Sequence, residues 1–305
     1  MHISHLYSAI LRGLWAIDLN SVDTSHAILK QVLTGSFDKS SEETLSKRQP
    51  LEGQIFDREM RSSKNFSGDL PPESVAIVPI HGTMMKYGTY CAYGTTEMAD
   101  LIYEAANNPN ISGIVLDMDS GGGAVDAIAP LTAAIEYSKK NGKAVVALCD
   151  LCASANYYTA IYCDEIIASN DISAEFGSIG VMMSFADYTK YYEDLGIKIH
   201  TVYSDLSNYK NAPFEAAKAG KYELVKAEEL NPLAIRFQDS VRERRKGKLD
   251  EKVEGILSGR MFYANDALKY GLIDSIGDKQ FAVQRAREIS RNSTVTAYIN
   301  KLNIT

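Results

Sequence analysis

Gly113-Ile114-Val115-Leu116-Asp117-Met118-Asp119-Ser120-Gly121-Gly122-Gly123 decides the reading of this chain. The apolar run at its start predicts a strand. The three glycines that follow leave the backbone free to approach a ligand closely. Val125 to Lys140 then carries helical spacing. Outward from this unit, Val75–Ile80, Ala144–Leu148 and Glu165–Ala168 read as further strands, and Glu97–Asn107 and Ala155–Tyr162 as helices between them. Asp187–Leu195 reads as a helix and Ile197–Tyr203 as a strand. Strands alternating with helices predict an α/β fold of βαβ units on a mainly parallel sheet. Functional loops of such sheets lie at the carboxyl ends of the strands. The glycine run falls at such an end, and so does Cys152-Ala153-Ser154-Ala155-Asn156-Tyr157-Tyr158.

The 305 residues are 45% hydrophobic and 23% charged, with a formal net charge of −7. Phosphate contacts need clustered lysine and arginine, so nucleic acid is not an expected partner. The basic stretch Arg242 to Lys248, interrupted by Glu243 and Gly247, reads as a solvated helix end. No apolar run is long enough for a transmembrane helix, and no membrane insertion is expected. Met1 to Asn20 is interrupted by His5, Ser8, Arg12 and Asp18 and does not read as a secretory leader. Ile3, Leu6, Ile10 and Leu14 recur at helical spacing, and Thr24–Leu33 reads as a second helix. The expected organisation is a helical arm over 1–35, a polar flexible linker over 36–74, an α/β domain over 75–285 and a tail over 286–305. Cysteines stand at 91, 149, 152 and 163; Cys149 and Cys152 have redox-motif spacing, but no second such pair completes a zinc site. They read as small buried residues in a reducing, cytoplasmic setting, and neither a metal nor a cofactor is expected.

Ser154 is the candidate nucleophile. A serine hydroxyl becomes one when a neighbouring base takes its proton. No histidine follows it closely, and the suggestive partner is Lys210 in Asn208-Tyr209-Lys210-Asn211-Ala212-Pro213-Phe214. A lysine base must be neutral, so burial must bring its pKa from about 10.4 toward about 7–8. The apolar neighbours Tyr209, Ala212, Pro213 and Phe214 fit that need. Gly177-Ser178-Ile179-Gly180 is either a glycine-bounded turn or a hydroxyl that holds the lysine amine. Backbone N–H groups of Gly121, Gly122, Gly123 and Ala155 are candidates to hold an oxyanion. Competing readings are a Ser-His-Asp site using His200 and Asp205, an acyl-CoA enzyme with the same oxyanion logic, and an inactive capsid or portal component. His81 reads as structural.

The glycine-rich loop, Ser154-Ala155-Asn156-Tyr157-Tyr158, Gly177-Ser178-Ile179-Gly180-Val181, the Tyr209-Lys210 loop, Gly259-Arg260-Met261-Phe262 and Ala267-Leu268-Lys269-Tyr270-Gly271-Leu272-Ile273-Asp274 occur in that order. From about Val75 to Gly277 the chain is similar to the signal peptide peptidase A family of Ser–Lys peptidases. The resemblance implies a ClpP/crotonase-like fold of repeated ββα units. Within the family, Gly177 to Met183, the strand end Leu116-Asp117-Met118-Asp119 and the helical amino-terminal arm resemble the capsid-assembly peptidases of tailed phages. The resemblance implies Ser154 as nucleophile, Lys210 as general base, Ser178 as a lysine-positioning hydroxyl, and Gly121–Gly123 with Ala155 as the oxyanion hole. It implies scaffold or capsid proteins, or the chain itself, as substrates in the host cytoplasm or procapsid. It also implies a homo-oligomeric ring or dome in which serine and lysine can come from neighbouring subunits. Two positions depart from the pattern. Ser120 stands where the family commonly has proline, and Ala155-Asn156 where it has two small residues, so Asn156 would reshape the pocket beside the nucleophile.

Overall fold

The computed structural model describes residues 14–17, 51–64, 66, 68–88, 92–185 and 187–302. In chain order the elements begin with β1 (Leu14–Ile17), β2 (Gln54–Phe56), β3 (Ser62–Ser63), β4 (Ser74–His81), α1 (Thr95–Asn107), β5 (Ile111–Ser120) and β6 (Gly122–Ala124). A single 3-10 turn then leads into α2 (Ile128–Lys140), β7 (Ala144–Ala153), α3 (Ala155–Ala160), β8 (Glu165–Ala168), β9 (Glu175–Gly177) and β10 (Met182–Met183). The remainder holds α4 (Thr189–Asp194), α5 (Ala212–Lys218), α6 (Asn231–Arg244), β11 (Met261–Tyr263), α7 (Ala264–Lys269), β12 (Ser275–Ile276) and α8 (Lys279–Leu302).

The main sheet runs β11-β9-β7-β5-β4-β2-β3, with β8 beside β7 and β12 beside β8. β4, β5, β7 and β8 are mutually parallel, as the alternation of strands and helices predicts. The two-residue period of a strand explains both faces. Ile114, Leu116 and Met118 of β5 pack with Ile102 of α1 and with Leu131 and Ile135 of α2. Val115 points the other way, with Val75, Ile77, Val146 and Ile167, against Ala282, Val283 and Ala286 of α8. α1 starts where the Gly94 N–H donates to the Glu97 carboxylate at 2.8 Å, and it stops before Pro109, which cannot continue a helix.

Several expected boundaries differ from the structure. The stretch expected as a tail is most of α8, which covers one face of the sheet. Gly113 permits that approach, because a Cβ there would lie 3.0 Å from the Ala286 Cβ. The polar stretch expected as a linker contributes β2, antiparallel to β4, and buries Ile55 and Phe66. Arg287 of α8 donates to the Glu73 carbonyl at 3.1 Å and to the Phe56 carbonyl at 3.0 Å, fixing this segment to the core. Residues 36–50 and the expected helix Thr24–Leu33 lie outside the described residues. Within the expected amino-terminal helix, Leu14–Ile17 is a strand, because open ladder edges of β6 and β10 take up its backbone. Ile197–Tyr203 forms no strand, since its alternating residues have no neighbouring strand to pair with and are largely exposed. The basic stretch after Arg242 is only partly solvated. Arg245 is buried, and its Nη1 bonds the Asp274 carboxylate at 2.9 Å. Among the described residues no helix is long and apolar enough to cross a membrane.

Candidate active site

β7 ends at Ala153 and α3 begins at Ala155, so Ser154 is the single residue of a strand-to-helix turn. Its backbone has φ 54° and ψ −118°. A non-glycine residue in such a region costs about 1–3 kcal/mol and persists when its surroundings over-determine it. They do so here. The Ser154 N–H donates to the Gly177 carbonyl at 2.9 Å, and its carbonyl accepts the Tyr158 N–H at 2.8 Å. α3 is itself pinned, because the buried Tyr157 hydroxyl donates to the Leu272 carbonyl at 2.8 Å and Tyr158 bonds Ser240 of α6 at 2.9 Å. These bonds give a physical role to the two tyrosines of the serine motif. Burial pushes the Tyr157 hydroxyl's pKa upward, so it stays a donor.

The remaining pieces converge on this turn through the sheet. β9 pairs with the end of β7 in parallel, matching Ala153 with Gly177. That register sets the Gly177–Gly180 turn beside Ser154, whose Oγ reaches the Gly180 carbonyl at 3.5 Å. Gly177 has φ 131°, and a Cβ there would lie 2.3 Å from the Arg260 carbonyl oxygen, so only glycine fits. Ser178 follows with φ 52°, and its N–H donates to the same carbonyl at 3.2 Å. Its hydroxyl has no hydrogen-bond partner among the described residues.

On the other side, β5 pairs with β7 so that Ser120 lies opposite Cys152, bringing the glycine loop alongside. A Cβ on Gly123 would lie 1.9 Å from the Met84 carbonyl oxygen, which excludes any side chain. Ser120, where the resemblance expects proline, stitches the loop together. Its buried Oγ donates to the Gly82 carbonyl at 2.5 Å and accepts the Gly122 N–H at 3.1 Å. The Gly122 amide is therefore engaged within the loop, and Gly123 lies in the ladder with β1. Ala155 opens α3, where first-turn N–H groups have no intrahelical acceptor. Asn156 is fully buried, and its Nδ2 donates to the Leu151 carbonyl at 3.2 Å and the Ser120 carbonyl at 3.4 Å. It thus ties the glycine loop to the serine strand, while its Oδ1 is buried without a partner among the described residues. Sequence reasoning noticed Asn156 and Ser120 only as departures from a pattern. The bonds that tie each to another segment, from Ser120 to Gly82 and from Asn156 to Ser120, span more than thirty-five residues and left no local signal.

Lys210 is not brought to Ser154. It is exposed at the end of a turn, its N–H donating to the Ser207 carbonyl at 3.0 Å, and no hydrogen bond joins it to the serine. Its neighbour Tyr209 is exposed as well. The burial expected of a lysine base is not supplied by the single chain. His200 is exposed and forms no ion pair with Asp205 among the described residues, which leaves a Ser-His-Asp arrangement without geometry. His81 lies 3.8 Å from Asp117 at the strand ends, and that carboxylate raises its pKa. Cys149 and Cys152 are buried, and burial pushes the Cys149 thiol well up, so it stays protonated and inert.

A parallel α/β sheet carrying a strained serine between two glycine-bounded turns is the form of a nucleophile-bearing hydrolase. Residues 137–293 match "Peptidase family S49", and the chain belongs to that family. It is 31% identical to "Na(+)/H(+) antiporter NhaA" of Brucella abortus over 67% of this chain and 28% of that protein. It is 26% identical to "Protease 4" of Salmonella typhi over 91% of this chain and 43% of that protein. With "Capsid assembly protease C" of Escherichia phage lambda it shares 30% identity over 52% of this chain and 35% of that protein. The chain spans between 28% and 43% of the length of these relatives. A solved structure of a "1510-N membrane-bound stomatin-specific protease" aligns at 15% identity and a TM-score of 0.44, covering 71% of this chain and 86% of that one.

Proposed function

We propose that this chain is a serine endopeptidase in which Ser154 attacks the peptide carbonyl and Lys210 of a neighbouring copy is the general base. The observation that carries the reading is the Ser154 turn, a non-glycine residue at positive φ held by hydrogen bonds on both sides. Strain of this kind is retained where an exact side-chain placement is worth its cost. Lys210 is exposed and follows a stretch with exposed apolar residues, Val202 at 91% and Leu206 at 96%. A neighbour covering that surface would bury the amine, and desolvation favours its neutral form.

The chemistry then runs in two halves. The lysine amine takes the Ser154 proton as Oγ bonds to the carbonyl carbon, and the oxyanion settles on the Ala155 amide and on an amide of the glycine loop other than that of Gly122. One such donor contributes roughly 3–4 kcal/mol. The lysine returns the proton to the leaving amine, and water repeats the sequence on the acyl-enzyme. Ser178, with a hydroxyl uncommitted among the described residues, would hold the incoming amine. Similarity to a phage capsid assembly protease supports scaffold or capsid proteins as the substrates.

Ser154→Ala and Lys210→Ala are each expected to lose hydrolysis of a co-expressed scaffold protein. Mixed in equal amounts and reassembled, they should regain about a quarter of the wild-type sites, because some intact serines then meet intact lysines across interfaces. Full activity in either single variant would remove its residue from the dyad. A mixture that stays inactive would place the lysine in the same chain as its serine.

A further inference from the structure

Two short strands frame the approach to Ser154. β6 continues the glycine loop, and β10 follows Gly180, whose carbonyl the Ser154 Oγ reaches. One edge of β6 is taken by Met84, through bonds from the Met84 N–H to the Gly122 carbonyl and from the Ala124 N–H to the Met84 carbonyl, both 2.9 Å. The other edge faces β10 across the width of one strand, and β1 fills that place. It runs antiparallel to both neighbours, with Trp15 opposite Ala124, Ala16 opposite Gly123 and Ile17 opposite Gly122 on one side. On the other side Leu14 is opposite Met183 and Trp15 opposite Met182.

The two ladders agree on where this strand meets the serine. Continuing the β10 register by two residues sets Ile17 opposite Gly180, and the β6 register sets it opposite Gly122. One neighbour of Ile17 is thus Gly180, whose carbonyl the Ser154 Oγ reaches, and the other belongs to the glycine loop. An extended peptide recognised through backbone edges would lie in the same place, since main-chain pairing is indifferent to side-chain sequence.

We propose that Leu14–Ile17 is a built-in occupant of the peptide-binding cleft, paired there as a substrate strand would be, and that it keeps the cleft closed to other peptides until it is displaced. The inference rests on Ser154 as the nucleophile. Its test is chosen to be independent of catalysis.

Successive N–H groups of a strand point to opposite sides, and proline has none. The full chain carrying Trp15→Pro and Ala16→Pro therefore loses one donor toward each neighbour. Amide exchange at Gly123 and Met182–Met183 is expected to quicken at least about tenfold in this variant, as expected when ladder bonds are lost. A fluorescent synthetic peptide of residues 10–21 should bind the variant at least about tenfold more tightly than the wild type, whose cleft is filled. Ala16→Pro alone should give an intermediate result, and it serves as the reference if the double variant folds poorly. Unchanged exchange, or equal peptide affinity in variant and wild type, overturns the proposal. Labelling by a fluorophosphonate reports the serine separately. Failure to label Ser154 in both proteins would sink the nucleophile reading while leaving the exchange and binding comparisons to decide the occupancy of the cleft.

Discussion

The strained geometry of Ser154 has a consequence that separates strain from chemistry. Glycine adopts positive φ without steric cost, so Ser154→Gly removes the strain along with the hydroxyl. Ser154→Ala removes only the hydroxyl, because alanine keeps the Cβ. In urea unfolding, Ser154→Gly is expected to be more stable than Ser154→Ala by about 1 kcal/mol, with both inactive. Equal stabilities would mean that the turn is relaxed. Around it, Ser120 and Asn156 act on the glycine loop rather than on the reacting atoms. One bridges Gly82 and Gly122, and the other draws the Ser120 carbonyl toward β7. The amide of Asn156 is oriented by necessity, since both groups facing its Nδ2 are carbonyl acceptors. Its unpaired Oδ1 costs about 1–3 kcal/mol, a second local expense beside the nucleophile.

At the scale of elements, the site is held by contacts between α3, α6 and the segment after α7. Arg245, just past α6, bonds the Gly271 carbonyl at 2.8 Å and both oxygens of Asp274. Asp274 in turn accepts the Ile166 N–H of β8 at 2.8 Å. Burial raises the Asp274 pKa, but the hydrogen bonds and charges of Arg245 and Lys248 outweigh it and hold the carboxyl below its ordinary value of 3.8. A carboxyl lowered on folding contributes stability that is complete above its unfolded pKa and is lost as the pH falls through the folded one. Asp274→Asn leaves a buried guanidinium uncompensated and should cost about 3–5 kcal/mol at pH 7. The gap between variant and wild type should narrow below pH ~4, where the wild-type carboxyl begins to protonate. Urea midpoints at pH 7 and pH 3 measure it, and a pH-independent gap would contradict the ion-pair origin.

At the scale of the molecule, the apolar groups of the stretch between α4 and α5 have little core beneath them. Ile199 is 70% exposed, and Val202 and Leu206 more so. Several large apolar side chains exposed in one short stretch are what an interaction site would supply. Val202→Glu with Leu206→Glu should shift a sedimentation profile toward monomer and make peptide turnover depend on protein concentration, while leaving monomer stability within about 0.5 kcal/mol. Unchanged assembly would leave Lys210 without a neighbour to bury it. The same surface shows why parts of the chain were legible and others were not. The run from Gly113 to Gly123 and the serine after the next strand could be read in order, because a strand, its loop and its helix are set by neighbours in sequence. Leu14–Ile17 could not. Its helical spacing is a local signal, and the ladder edges that override it come from residues more than a hundred positions away.

The sequence by itself determined the α/β alternation, the glycine loop at one strand end and the serine at the next. Periodicity and glycine placement act over a few residues and need no partner. Only the tertiary structure decided that α8 and β2 belong to the core, that Ser120 and Asn156 brace the loop, and that an amino-terminal strand pairs with β6 and β10. Only it left Lys210 exposed. Each of these depends on pairing and burial between distant segments, and that free energy exists once the sheet has brought them together.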